Sequence, residues 1–436
     1  MSMSFVPESS AARRDAALPR AGSVPGPRPR VLHVVETWAP VSSGYTRRGW
    51  QIVAAQAATG VCEPYVLVSS RQMTYGHQTA EMPAGAAVDS ARVVAPSRFE
   101  RGVRRLRPYQ ISAGVLADAI VATCHEWQID IIHCHWSSAI GAAARRAAER
   151  TGCALVGEVR FDLAGAMMSE TIRRPVPGLE TLLRTRFDRY LLGADAIVAA
   201  SHSLARLISC SQPLRKAPVE VMPNAVDTER FQPDPQAAAG LRASLGLEAA
   251  FVVGSTTNML RYEGLDVLLE AIARLSPRLP GLCVVLVGGG TQYEALARQA
   301  EARGLPVRFV GRVAAEAVPA YLNLFDLFVV PRREAAVTRH ASPIKLVEAM
   351  ACGVPAVGSA LGDIPDILAG GGGRSIPPDD PVALAQAICD FARDDTQRAK
   401  AARRAREWAL AQPDWLALAE RYGALYEQVQ VERGGR

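Results

Sequence analysis

Short apolar runs recur along the chain, each followed by a loop of turn formers and then by a stretch with helical spacing. The first, Val31-Leu-His-Val-Val35, predicts a strand. It opens into Glu36-Thr-Trp-Ala-Pro-Val-Ser-Ser-Gly44, after which Tyr45 to Thr59 reads as an amphipathic helix closed by Gly60. Strand, glycine-containing loop and helix make the opening unit of a doubly wound fold. Val66 to Ser69, Ile129 to His135, Ala154 to Val159 and Ala196 to Ala200 read as further strands of this half.

A second series starts near Val219. Phe251 to Gly254, Cys283 to Val287, Val307 to Val310, Leu327 to Val330 and Ala356 to Val357 read as strands. Gly264 to Leu275 and Thr291 to Arg303 read as helices between them, and Pro381 to Val431 is mostly helical by pattern. This alternation predicts a second parallel sheet. The fold class expected is α/β, with two Rossmann-like doubly wound domains facing across a cleft. The expected boundaries are a leader at 1–29, a first domain at 30–215, a second at 216–405, and a helical segment at 406–436 that packs back toward the first.

Composition fits that picture. The 436 residues suffice for two such domains, and 49% hydrophobic with 21% charged residues is ordinary for a chain with a sizeable interior. A formal net charge of +6 suits anionic partners such as nucleotides, phosphorylated lipids or membrane surfaces. No aromatic-interleaved basic stripe appears, so no nucleic-acid partner is assigned. The eight cysteines are scattered without a C-x-x-C pair and read as reduced core thiols, which points to the cytoplasm. No apolar run reaches the roughly 18 residues of a membrane span. Residues up to Arg30 are rich in Arg, Pro, Gly and Ser, lack the apolar centre of a secretory signal, and read as disordered. Arg98 to Arg107 is basic, with Phe99, Val103 and Leu106 at helical spacing. It suits an anionic membrane or lipid-diphosphate contact, though a solvated Arg-rich helix face is the plainer reading.

The richest chemistry lies in Ser342-Pro-Ile-Lys-Leu-Val-Glu-Ala-Met-Ala-Cys-Gly-Val-Pro355. Ser342 is placed to cap a helix with Pro343 at its first position and Gly353 beyond its end. Such an N-terminus offers free N–H groups and a positive dipole to a phosphate. Lys345 opposes the dipole there, which makes sense with an anion bound; a solvated Lys on a capped helix is the plainer alternative. Glu348, one turn on, can accept two ribose hydroxyl hydrogen bonds. Val221-Met-Pro-Asn-Ala-Val-Asp227 joins the halves and has the residues of an ordinary turn. Glu158-Val-Arg160 ends a strand at its carboxyl edge, where Arg160 either meets phosphate or acceptor or forms a structural ion pair. His133-Cys-His135 places two imidazoles on one strand face, with no third ligand nearby, so no metal is assigned. A dinucleotide reading of Gly288-Gly-Gly290 fails because no G-x-G-x-x-G follows.

Five segments stand in the order seen in GT-B-fold retaining glycosyltransferases of family 4, which the chain resembles from Arg30 to Val431. They are Pro223-Asn-Ala-Val-Asp227-x-x-Arg-Phe231, the Gly288-x-Gly290 turn, Phe309-Val-Gly311-Arg312-Val313, Asp326-x-Phe-Val-Val-Pro331 and the Pro343-to-Pro355 helix. The resemblance implies transfer of a hexose from a nucleotide sugar, with UDP as the family default, to a glycan, lipid-linked or natural-product acceptor. It implies an acceptor-side first domain, a donor-binding second domain, and no cofactor or metal for the chemistry. Donor contacts are implied for Gly44, Asn258, Arg312, Val313, His340, Ser342, Pro343, Ile344 and Glu348, and catalytic roles for Arg261, Lys345, His135 and Arg160. The Ser342-Pro-Ile-Lys345-x-x-Glu348 form resembles a subgroup of polysaccharide and secondary-metabolite transferases. Gly44-Tyr-Thr-x-Arg48, Glu158-Val-Arg160 and Tyr262-Glu-Gly-Leu-Asp266 resemble it too.

The chain departs from the family at two places. The first of two family glutamates falls on His340. The Arg and Lys that usually neutralise the leaving diphosphate fall on Asn258 and Glu263, so Arg261 and Lys345 are expected to supply that charge. The same substitutions fit a catalytically silent nucleotide- or glycan-binding partner protein. A sugar-nucleotide epimerase or hydrolase is a third reading, against which the missing first glutamate counts. The location implied is cytoplasmic, with peripheral contact at the inner membrane face as an option; no oligomeric state is indicated.

Overall fold

The computed structural model describes residues 28–39, 44–75, 80, 91–95, 112–135, 138–171, 178–211 and 218–434. Most of the expected leader and the whole basic stretch Arg98 to Arg107 lie outside the described residues.

The first sheet has seven parallel strands: β1 (Arg30–Val35), β2 (Glu63–Val68), β3 (Ala91–Val93), β4 (Ile131–His135), β5 (Ala154–Val159), β6 (Ala196–Ala199) and β7 (Val219–Val221). Its order is β3-β2-β1-β4-β5-β6-β7, so the winding reverses between β1 and β4. The helices of this half are α1 (Gly44–Thr59), α2 (Ala113–Trp127), α3 (Ser138–Thr151), α4 (Leu163–Thr171), α5 (Leu179–Asp188) and α6 (His202–Ser209). Strands buried on both faces are mostly apolar, which is why β1, β4 and β5 were readable in the sequence despite the buried His33, His133, His135 and Glu158.

The second sheet has six: β8 (Phe251–Thr257), β9 (Leu282–Gly288), β10 (Val307–Gly311), β11 (Leu327–Val330), β12 (Ala356–Ser359) and β13 (Arg374–Ile376). Its order is β10-β9-β8-β11-β12-β13, and here the winding reverses between β8 and β11. Around it lie α7 (Pro235–Leu245), α8 (Leu265–Leu275), α9 (Tyr293–Ala302), α10 (Val318–Leu324) and α11 (Ile344–Ala351). They are followed by α12 (Ile364–Gly371), α13 (Pro381–Arg393), α14 (Asp395–Leu410) and α15 (Trp415–Gly434). β8 runs three residues past its expected end because β9 pairs with it through Thr257 and Gly288. β2 begins at Glu63 rather than Val66, where its pairing with β1 starts opposite Arg30.

α15 crosses back to the first domain. Its Leu418, Tyr422, Leu425 and Tyr426 pack into one buried cluster with Val31, Ile52 and Ile131. Among the described residues no helix is long and apolar enough to cross a membrane. All eight cysteines are free, and six of them are buried.

Candidate functional site at the interdomain cleft

At the reversal point of the second sheet, three segments converge on one carboxylate. The loop after β8 folds into a short 3-10 turn over Arg261–Glu263, Arg332 follows β11, and Lys345 stands in the first turn of α11. Glu263 Oε2 lies 2.5 Å from Lys345 Nζ, and Glu263 Oε1 lies 3.4 Å from Arg332 Nη2. Lys345 also donates to Thr257 Oγ1 at 3.1 Å. Burial pushes the Glu263 carboxyl upward, but Lys345 and Arg332 more than reverse this and hold it at about 2. Burial in turn lowers the Lys345 ammonium, against the pull of Glu263. The anion expected beside Lys345 is therefore present as an internal carboxylate. Arg261 is exposed on the same turn.

The start of α11 differs from the expected cap. Pro343, not Ser342, takes the N-cap position, with φ −78° and ψ 113°, and no side-chain cap bond forms. Pro343 keeps an extended backbone, so the helix starts one residue later, and the Ser342 carbonyl accepts from Asn224 Nδ2 at 3.1 Å. Gly353 beyond the helix does take the left-handed conformation, with φ +72°. Glu348 is buried one turn into α11, and its Oε1 accepts from Arg47 Nη2 of α1 at 2.6 Å. Arg47 was not among the expected residues, because its partner lies 301 positions away.

The remaining expected donor residues take varied places. Arg312 is exposed and donates to the Gly289 carbonyl at 3.4 Å, joining the turns after β9 and β10. Val313 packs on the second-domain core. Asn258 is exposed, and its carbonyl sits 1.7 Å from where a Cβ on Gly290 would lie, so that glycine is a packing requirement. The His340 carbonyl accepts from Ser201 Oγ of the first domain at 3.0 Å, and Ile344 packs against the first-domain cluster that holds Met222 and Ala225. Gly44 opens α1, and among the described residues nothing lies within 4 Å of where a Cβ on it would stand.

Across the cleft, at the reversal point of the first sheet, lies a buried polar network. His33 on β1 pairs in register with His133 on β4, and it supplies the third imidazole that the sequence reading missed. The nearest nitrogens of His33, His133 and His135 all lie within 4.8 Å of one another, a spacing open to a metal ion. Their hydrogen bonds define another use. Arg160 Nη2 meets His135 Nδ1; a guanidinium only donates, so that nitrogen accepts and the His135 proton sits on Nε2. Nε2 then donates to His33 Nδ1 at 2.9 Å, and His33 Nε2 donates to Gln56 Oε1 at 2.9 Å. Gln56 Nε2 donates to Tyr426 OH at 3.0 Å, and Tyr426 donates to His133 Nδ1 at 2.7 Å. Chelation by His135 Nε2 would place its proton on Nδ1, donor against donor with Arg160. Burial lowers all three imidazoles, holding them neutral.

Glu158 anchors this network. Its Oε1 accepts from Arg48 Nε at 2.9 Å and from Arg160 Nε at 2.7 Å, and its Oε2 accepts from Tyr422 OH at 2.8 Å. Burial raises its carboxyl, and Arg160 and Arg48 draw it well below the carboxylate range. Arg160 also donates to the Tyr45 carbonyl at 2.6 Å and stacks over the Tyr45 ring. The structural ion pair, offered by the sequence as one of two readings, is thus what these residues form. His135 is fully buried with both ring nitrogens engaged, so in this arrangement it positions Arg160 rather than facing a ligand. Arg48 extends the network to the interdomain turn, donating to the Met222 and Pro223 carbonyls at 2.6 and 3.0 Å and to Asn224 Oδ1 at 3.0 Å.

Two parallel doubly wound domains, each presenting the reversal point of its sheet to a shared cleft, define a GT-B architecture. Residues 42–230 match the family described as Glycosyltransferase Family 4, and residues 250–394 match that described as Glycosyl transferases group 1. A GDP-mannose-dependent alpha-(1-6)-phosphatidylinositol monomannoside mannosyltransferase of Mycolicibacterium smegmatis is 33% identical over 238 residues, covering 53% of this chain and 62% of that protein. Its namesake from Mycobacterium tuberculosis is 31% identical over 290 residues, covering 64% of this chain and 72% of the relative. The solved sucrose-phosphate synthase of Thermosynechococcus elongatus superposes with a TM-score of 0.74 at 20% identity, over 93% of this chain and all of its own, which speaks for the fold. The chain belongs to the family 4, group 1 glycosyltransferases.

Proposed function

We propose that the protein transfers a hexose, with retention at the anomeric carbon, from a nucleoside-diphosphate sugar to a glycan, lipid-linked or natural-product acceptor. The observation that carries this reading is the placement of Lys345 and Glu348 one turn apart on α11, beside the reversal point of the second sheet and opposite Arg47 of α1. Brought to that edge, a departing diphosphate meets a buried ammonium, and charge stabilisation in a dry site is the largest part of such catalysis. Glu348 has a second oxygen for a ribose hydroxyl beside the one that Arg47 occupies. UDP is the default base from the family resemblance; the mannosyltransferase relatives put GDP beside it. No step calls on a metal or cofactor. The reading places the protein in the cytoplasm, with a lipid-linked acceptor bringing it to the inner face of the membrane.

One observation favours a second reading. Lys345 is already neutralised by Glu263, as in a catalytically silent protein that binds nucleotide or glycan for a partner. Release of nucleoside diphosphate from a panel of UDP- and GDP-sugars, with and without cell-derived acceptors, separates the two. We expect turnover that falls about 10²- to 10³-fold in Lys345→Ala and is lost in Glu348→Ala. Tight nucleotide binding with no turnover on any donor gives the silent reading instead.

A further inference from the structure

Arg332 has an unusual position for an arginine. Its side chain is 10% exposed, its Nε is buried with no hydrogen-bond partner among the described residues, and its one ion-pair contact is the 3.4 Å approach to Glu263. A buried guanidinium left so poorly satisfied is costly unless something else completes its shell. We infer that Arg332, rather than Arg261, is the second cation that meets the donor's diphosphate, with Glu263 as the built-in counter-ion of both Arg332 and Lys345. This rests on the donor-site reading above and adds to it the residues that read the diphosphate.

Topology and packing support the assignment. β8 and β11 are neighbours in the sheet and leave it toward opposite flanks, so the loops after them border the crevice where open α/β sheets take ligands. Glu263 stands on the first loop and Arg332 on the second. The loops are locked together: Arg333 N donates to the Tyr262 carbonyl at 3.0 Å, and the Arg333 guanidinium pairs with Asp266. Arg332 therefore sits on a rigid edge, aimed at the carboxylate that Lys345 shares. Two cations over one carboxylate leave the cluster with a net positive charge beside the crevice edge. Arg261 is exposed, and solvent and salt screen a charge held that way. A guanidinium also offers paired N–H donors matched to phosphate oxygens.

The test is calorimetric binding of UDP, GDP, UMP and GMP to the full chain. The inference expects a nucleoside diphosphate to bind the wild type at least about tenfold tighter than its monophosphate, as befits a charge-assisted hydrogen bond. It expects Arg332→Met to collapse that ratio toward one with monophosphate affinity unchanged, while Arg261→Met keeps it within about twofold. An unchanged ratio in Arg332→Met, or a collapse in Arg261→Met, overturns the assignment. Failure of the wild type to bind any of the four nucleotides removes the donor-site reading itself, and this inference with it. Glu263→Gln supplies an independent arm should Arg332→Met not fold. Inorganic pyrophosphate is expected to bind that variant several-fold more tightly than the wild type, and equal or weaker binding refutes the counter-ion role.

Discussion

His33, His133 and His135 cluster with ring centroids 4.6 to 5.2 Å apart, His133 stacked on His135 and His33 tilted against both, and each is fully buried. Burial holds their folded-state values below the ordinary 6.5, so the unfolded chain takes up protons that the folded chain refuses. The sign follows: their stabilising effect is complete above 6.5 and is lost as pH falls below it. Each group that stays neutral in the fold adds up to about 1.4 kcal/mol per pH unit to the loss below that point. His340, also lowered by burial, adds to it. Thermal unfolding followed from pH 7.5 to 5 should show the melting point dropping steeply, and His33→Gln should flatten the drop by about a third. A melting point level across that range would falsify the neutral triad. At this scale the sequence was half legible. His133 and His135 announced a shared face through their spacing, and His33 has the same parity one strand away. What joined them was the pairing of β1 with β4, which a doubly wound order would have suggested. Arg47, Arg332 and the Lys345–Glu263 pair lay beyond reach, since each partner is supplied from a distant segment.

Elements were read more reliably than their ends. Apolar runs located β1, β5, β9 and β11 because strands covered by helices on both faces are mostly apolar, with His33 and Glu158 as buried exceptions on β1 and β5. The expected cap at Ser342 failed because Pro343 takes an extended rather than helical backbone, which moves the start of α11 to Ile344. Gly264 is the residue on which the donor edge turns. It has φ +69°, and a Cβ there would lie 1.8 Å from the Pro331 carbonyl oxygen, on the segment that carries Arg332. Left-handed strain and backbone collision together place Gly264→Ala above about 3 kcal/mol of destabilisation. For a domain of this size the melting point should fall by about 10 °C. Gly240→Ala is the control: Gly240 lies inside α7 with open space around it, and alanine there should stabilise by about 0.5–1 kcal/mol. Differential scanning calorimetry of both variants checks the pair, and equal effects would refute the role given to the Pro331 contact.

The two domains meet through polar contacts. Arg47 reaches Glu348, and Asn224 holds both Arg48 and the Ser342 carbonyl. Asp363 of the second domain accepts from the His202 and Ser203 amides at 2.9 Å each, satisfying the free N–H groups at the start of α6. α15 ties the chain's end to α1 and β1. An enzyme that excludes water from its donor gains from contacts that hold its two domains together across the cleft. Arg47→Ala combined with Asp363→Ala removes one contact from the cleft and two from its rim, while leaving the buried Arg48–Glu158 cluster and α15 intact. We expect the double variant to show a larger radius of gyration by small-angle scattering without ligand, and nucleoside-diphosphate affinity to fall about tenfold, the scale of one charged hydrogen bond. Saturating nucleotide should restore the wild-type radius, because the ligand then holds the domains together in place of those contacts. If the radius is unchanged without ligand, the turn at Met222 to Asn224 and α15 fix the domains by themselves. Arg47 would then act on Glu348 locally rather than on the domain arrangement.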